Sequence, residues 1–198
     1  MSFTVSKEEM KVFLAILICS GYNPLPSKRH YWANGDDLKN HAIYNSMRRN
    51  TFEDIMRYIH FISNDHIDPK DKYWKVRPLV KHLQKKFMDN FVPTRAISHD
   101  ESMIQYFGKH GCKQAIRNKP IPFGYKVWSQ CSKSGYLVAC DLYQGKSIGG
   151  VEEEEKKFGK CSATVLNLLN KYDEQRRNLP YTLYFDNLFT SVPLLVEL

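Results

Sequence analysis

Two aspartates, Asp100 and Asp186, stand in extended stretches and are of the kind that can hold a metal ion. Arg95–Phe107 (RAISHDESMIQYF) carries β-branched and aromatic residues, and Ala96 to Phe107 shows no helical period, so a wholly buried strand is expected. A carboxylate buried without a partner costs several kcal/mol, so an acid there implies a nearby cation or metal. Alternation along a strand puts Asp100 on one face with Ala96, Ser98 and Ser102, whose small side chains leave room beside it. Glu101 falls on the other face with Ile97, His99 and Met103, and is not expected to partner Asp100. The second stretch, Tyr181–Asn187 (YTLYFDN), is entered through Pro180 and places Asp186 at a strand's carboxyl end, where open α/β sheets bind ligands. Adjacent parallel strands joined by a crossover helix would bring the two acids together. Such a pair holds Mg²⁺ through hard oxygens and could set two metal ions on a phosphodiester. Taken singly, each aspartate could equally close a strand or cap a turn.

The elements that must position these acids come next. The chain has 198 residues and a net charge of +8, with 42% hydrophobic and 13% aromatic residues, enough for a core. The charge is uneven: residues 81–126 hold 9 Lys/Arg against 3 Asp/Glu, while residues 127–198 hold 8 against 9. A basic surface around acidic strands suits a phosphate backbone, although a generic basic surface is the plain alternative. Five cysteines without a C-x-x-C pair, and no four-ligand zinc pattern, read as reduced intracellular thiols. The longest apolar run, Val12–Cys19, is too short to span a bilayer, so a soluble protein with no membrane partner is expected.

Ser6-Lys-Glu-Glu9 is a capping box, with Val5 and Met10 placed as a hydrophobic staple, and predicts a helix to about Ser20. Its apolar stripe is Met10, Phe13, Leu14 and Leu17, widened by Ile16 and Ile18. Tyr31 and Trp32 read as core anchors beside Lys28 and Arg29. Thr51 is expected to cap a second helix through Phe52, Ile55 and Met56, and Trp74–Asn90 forms a third, with Lys81, Lys85 and Lys86 on its wet face. Pro93 closes this helical part, giving an expected boundary near Val92. Beyond it come the first acidic strand, a basic stretch 108–122, and a hairpin of Phe123–Gln130 and Tyr136–Tyr143 turning at Ser132–Gly135. Residues 145–160 read as a loop containing the acidic run Glu152–Glu155. A helix then starts at Cys161 or Ser162 and runs through Tyr172 to Arg176-Arg177-Asn178, before the second acidic strand and a last helix from Ser191. That order is the opening of an RNase H-like core.

At particular words the chain resembles the piggyBac-type transposases and the host proteins derived from them. These are His99-Asp-Glu-Ser-Met-Ile104, Asn118-Lys-Pro120 with Phe123-Gly-Tyr-Lys126, and Tyr184-Phe-Asp-Asn-Leu-Phe-Thr-Ser191 with Pro193-Leu194. The helical half matches through Phe52, His60-Phe61 and Trp74-Lys-Val-Arg-Pro-Leu79. The resemblance implies an α/β chain: a helical, dimerisation-type domain over 1–92 and a partial RNase H-like (DDE transposase) core over 93–198. It implies metal-dependent cleavage of DNA and joining at TTAA targets, with Asp100 and Asp186 as the first two of three metal-binding aspartates. Mg²⁺ or Mn²⁺ is the implied cofactor, and Lys109, Lys113, Arg117, Lys119 and Lys126 the implied DNA-binding cations. No small-molecule substrate is expected.

The pattern also departs from the family. The third aspartate is expected on a helix that these residues do not include, and the family's cysteine-rich zinc domain is likewise expected outside them. After Asp186 the only acid is Glu197, eleven residues on. A catalytically incomplete core is therefore expected, completed by a homodimer or another chain. The competing readings are a domesticated module binding DNA or protein without catalysis, and a truncated relic. A nuclear location follows from the DNA reading alone.

Overall fold

The computed structural model of the chain describes residues 3–35, 37–145 and 152–198. These divide into two compact units between His60 and Phe61.

The first unit is helical. Helix α1 (Lys7–Tyr22) carries the expected capping box: the Glu9 amide donates to Ser6 Oγ at 3.1 Å, and the Ser6 amide donates to Glu9 Oε2 at 2.8 Å. Val5 and Met10 both pack against the unit's core. α1 buries only Phe13 and Ile16, whereas Leu14 and Ile18 are exposed, so the apolar stripe is narrower than its sequence suggests. A short 3-10 turn, Lys28–Trp32, buries Tyr31, whose hydroxyl donates to the Asn23 carbonyl. The Trp32 indole N–H donates to the Met47 carbonyl at 2.7 Å. Helix α2 (His41–Ser46), which the sequence did not announce, is capped by Asn40. Helix α3 (Arg49–Tyr58) starts before Thr51 with Arg48 at the N-cap, so the expected Thr51 cap does not form. Its Phe52 packs on Phe13 and Trp32, with ring centroids 5.2 Å apart in both pairs.

The second unit is a mixed sheet with helices. Helix α4 (Arg77–Asp89) begins with Pro78 in its first turn, later than Trp74, because a proline imino group costs no hydrogen bond there. Strands β1 (Ala96–Gln105), β2 (Lys113–Ala115), β3 (Phe123–Ser132), β4 (Leu137–Leu142) and β5 (Thr182–Tyr184) form one sheet. β3 pairs antiparallel with β1 along one edge, and with β2 and then β4 along the other. β5 joins the far side of β1 in parallel. Helices α5 (Glu152–Phe158), α6 (Lys160–Leu169), α7 (Glu174–Arg177) and α8 (Val192–Glu197) complete the unit. Glu152–Glu155, expected in a loop, thus lies in α5. The single helix expected through Tyr172 is two, α6 and α7, the second capped by Asp173.

The boundary expected near Val92 does not coincide with the division at His60, because α4 packs on the sheet. Gln84 reaches the outer edge of β4, donating to the Val138 carbonyl and accepting from the Cys140 amide, both at 3.0 Å. A side-chain amide there satisfies an edge that would otherwise invite another strand. The Tyr136 hydroxyl donates to the Phe87 carbonyl at 2.8 Å, and Met88 and Phe91 enter the same core as Ile97, Val138, Val165, Leu168 and Phe189. Gly124 on β3 is required by proximity: a Cβ there would lie 2.0 Å from the Ile104 carbonyl oxygen. The five cysteines are free thiols.

Candidate active site

The ladder between β1 and β5 pairs Ala96 with Thr182, Ile97 with Leu183 and Ser98 with Tyr184. The ladder ends there, and Asp186 lies two residues past the end of β5. The backbone of Asp186 is still extended, at φ −82° and ψ 177°. Alternation along β1 places Asp100 on the face that carries Ser98. That face is open: Ser98, Asp100, Ser102 and Tyr184 are all exposed. The expectation that Asp100 lies in a wholly buried strand is corrected here. α6 and the turn after Asp186 cover the opposite face, with Ile97, His99 and Phe189.

Asp100 Oδ1 accepts from the Glu101 amide at 2.7 Å. Displacement of water by the surrounding protein raises the Asp100 carboxyl above its usual range, against the pull of that amide and of Lys119. Glu101 lies on the covered side, its side chain 11% exposed, with Oε1 3.0 Å from Lys119 Nζ. Burial opposes its ionisation, but the hydrogen bond and charge of Lys119, with Lys126 beyond, hold it below the ordinary value. Alternation separates Asp100 and Glu101 as expected, yet each shifts the other: the charge of Glu101 adds to the raising of Asp100, and an interaction with Asp100 adds to the lowering of Glu101. Their independence is corrected too. Glu101 Oε2 is buried without a hydrogen-bond partner.

Asp186 is the N-cap of the 3-10 turn Asn187–Phe189, its Oδ1 accepting from the Leu188 amide at 2.9 Å. The turn-capping role considered for a lone aspartate is real at this position and leaves the carboxylate exposed. Phe189 plugs the turn into the core, 4.5 Å from the His99 ring and 5.5 Å from Trp128. His99, which the sequence did not single out, is 2% exposed. The Thr164 hydroxyl donates to the Cys161 carbonyl, so His99 Nε2 is the donor to Thr164 Oγ1 at 3.1 Å. Nδ1 is left as a buried lone pair without a partner. Burial drives the His99 pKa down to about 4, against the fields of Asp186 and Glu101, so the ring is neutral at pH 7. Its sequence signals are its position on the face of Ile97 and its place at the head of the His99–Ile104 word.

The basic residues divide. Lys109 and Arg117 are exposed. Lys113 donates to the Phe107 and Gly108 carbonyls at 3.2 and 3.3 Å, clasping the loop after β1. Lys126 lies 3.9 Å above the Trp128 ring. Lys119 follows Asn118, whose φ of 68° makes the left-handed turn that asparagine tolerates. Its ammonium is held charged by the Glu101 hydrogen bond first, then by the fields of Asp100, Glu101 and Asp186. It is therefore the common neighbour of all three acids.

Among the described residues no group of three or more His, Cys, Asp or Glu side chains could hold a metal ion. Asp100 and Asp186 supply carboxylate oxygens, the donor type that Mg²⁺ and Mn²⁺ take.

The family described as Transposase IS4 matches residues 2–198. Human PiggyBac transposable element-derived protein 3 is 40% identical over 98% of the chain, and human PiggyBac transposable element-derived protein 2 is 34% identical over 98%. The chain belongs to the Transposase IS4 family, among its piggyBac-type members. It spans 32% of the length of either human relative. A cryo-EM structure of a piggyBac transposase synaptic complex with hairpin DNA superposes over 100% of the chain and 41% of its own, with a TM-score of 0.78 and 20% identity. That likeness establishes the fold: helices with a mixed sheet, as in a piggyBac transposase. Among the described residues, no helix of this piggyBac-type chain is long and apolar enough to cross a membrane.

Proposed function

We propose that this piggyBac-type domain carries the first part of an RNase H-like site for metal-dependent DNA cleavage and strand transfer, with Asp100 and Asp186 as its carboxylate ligands. The observation that supports it most is the parallel β1–β5 ladder, whose register, if run on two residues past Ser98 and Tyr184, would bring Asp100 level with Asp186. Mg²⁺ or Mn²⁺ held there would supply Lewis acidity to a phosphodiester oxygen and a more acidic water. The residues orient that chemistry: the Glu101 amide fixes Asp100, and the Leu188 amide fixes Asp186. Lys109 and Arg117 would meet the phosphate backbone by charge, in a nuclear setting. Further donors for a complete metal shell would lie outside these residues, a homodimer partner or another chain being two sources. Mn²⁺-dependent nicking of supercoiled plasmid, lost in Asp100→Asn, tests this reading. Retained nicking in that variant removes the assignment.

A second reading is a domesticated module that binds DNA or protein without catalysis, in keeping with human relatives named as transposable element-derived proteins. Salt-dependent DNA binding with no nicking at any Mn²⁺ concentration would select it.

A further inference from the structure

Two phenylalanines where β1 ends and β3 begins have no part in the chemistry above. Phe107 is 75% exposed and Phe123 48%, whereas Phe91 and Phe189 in the same unit are buried. Apolar residues scattered singly over a surface need no explanation, but these two are held together. The Tyr106 amide donates to the Phe123 carbonyl at 3.3 Å, and Phe107 follows Tyr106 directly. Lys113 joins them again: its ammonium lies 3.2 Å from the Phe107 carbonyl oxygen and 5.9 Å from the centre of the Phe123 ring. The support beneath is stiff. The Tyr106 ring stacks on Tyr125 with centroids 4.8 Å apart, and a Cβ on Gly108 would run into that ring. Each phenylalanine also has an exposed cation nearby in the chain. Lys109 is two residues beyond Phe107, and Arg117 follows Ile116, whose amide donates at 2.9 Å to the carbonyl of Pro122, the residue before Phe123. Residues 108–122 contain no acid.

We propose that Phe107 and Phe123 form a stacking platform for the bases of unpaired DNA, with Lys109, Lys113 and Arg117 neutralising its phosphates. The inference rests on the DNA reading above, not on the metal ions, and goes beyond it by naming the form of DNA that this surface takes. Bases in a duplex are stacked on one another and offer no face to a ring, whereas an unpaired base covers an exposed phenyl ring. The charge here complements a phosphate chain. An acidic peptide would answer the cations and leave the two rings uncovered.

The test is fluorescence anisotropy of the whole chain with a labelled oligothymidylate about twelve nucleotides long, and with the duplex it forms with oligodeoxyadenylate. EDTA is present throughout, so that no divalent cation contributes. Phe107→Ala/Phe123→Ala is expected to weaken single-strand binding by at least about tenfold, the scale of lost base stacking, and to change duplex binding by less than about twofold. Phe107→Tyr/Phe123→Tyr, which keeps both rings, should bind the strand as wild type does. Lys109→Gln/Arg117→Gln should weaken binding of both forms and lower the salt slope of each by up to about 2. If the double alanine chain folds poorly by circular dichroism, Phe107→Ala alone must weaken single-strand binding by about fivefold or more with duplex binding kept. Duplex binding without single-strand binding, or single-strand binding that the alanine substitutions leave unchanged, overturns this proposal alone. Displacement of the strand by polyglutamate as effective as by unlabelled oligothymidylate also overturns it, and leaves a plain basic surface. Absence of binding to either form overturns both the proposal and the DNA reading.

Discussion

β1 and β5 each deliver one aspartate, and they do so under opposite mechanical conditions. β1 is ten residues long, paired with β3 on one side and β5 on the other, and Asp100 sits in its middle. β5 is three residues long, paired only with β1 among the described residues, and Asp186 lies two residues past its end. Asp100 is therefore held by a ladder. Asp186 is held from its carboxyl side, by the cap to Leu188 and by the Phe189 ring, which has no exposed surface. A rigid half and a pinned half thus carry the two acids of the proposed site, and the pin is a side chain outside any strand.

The largest effect should come from pulling that pin. Phe189→Ala is expected to cost about 4 kcal/mol in urea unfolding, the range for a buried phenylalanine truncated to alanine. It should also speed amide exchange at Thr182–Tyr184 while the β1–β3 ladder stays protected. Equal loss of protection in both strands would break the contrast. Ile97→Ala, at the fully buried root of β1, should cost about 3 kcal/mol and act globally, lowering protection throughout the sheet.

His99 links the two halves, since it lies on β1 and meets the pin edge to face. Its folded pKa of about 4 lies below the unfolded value of 6.5, so its contribution is complete above pH 6.5. As pH falls from there towards 4, the unfolded chain takes up the proton first and stability declines, by about 3 kcal/mol at most. Urea midpoints across that window should flatten in His99→Gln, and an unchanged slope would show that other groups carry the pH dependence. The smallest effect is expected at Leu183→Ala, on half-buried β5, at about 1 kcal/mol, read by the same urea unfolding.

Much of this was legible in residues and spacing. The capping box of α1, the hairpin turning at Gly135 and the alternation along β1 follow from local rules that the fold does not override. Which face of β1 would be covered was not legible. Alternation says that Asp100 and Glu101 point apart, but only the packing of α6 and Phe189 decides which side is wet. The same holds for the lysines. Composition counts Lys113 and Lys126 as basic surface, whereas a carbonyl clasp and a tryptophan ring engage them. The missed split between α6 and α7 has a local cause that was available: Asp173 is an N-cap residue sitting inside the supposed helix.

The pairing of Ala96 with Thr182 spans 86 residues, whereas β1 meets β3, and β3 meets β4, across much shorter loops. Closing the longer loop costs more chain entropy before any contact rewards it, so β5 is expected to join last during folding. On a ribosome the delay is enforced, because Asp186 is synthesised well after β1, β3 and β4 can already have paired. The acids of this site are thus separated in time as well as in sequence. A nascent chain holds a formed sheet bearing Asp100 before Thr182–Tyr184, and the Asp186 that follows, can join it.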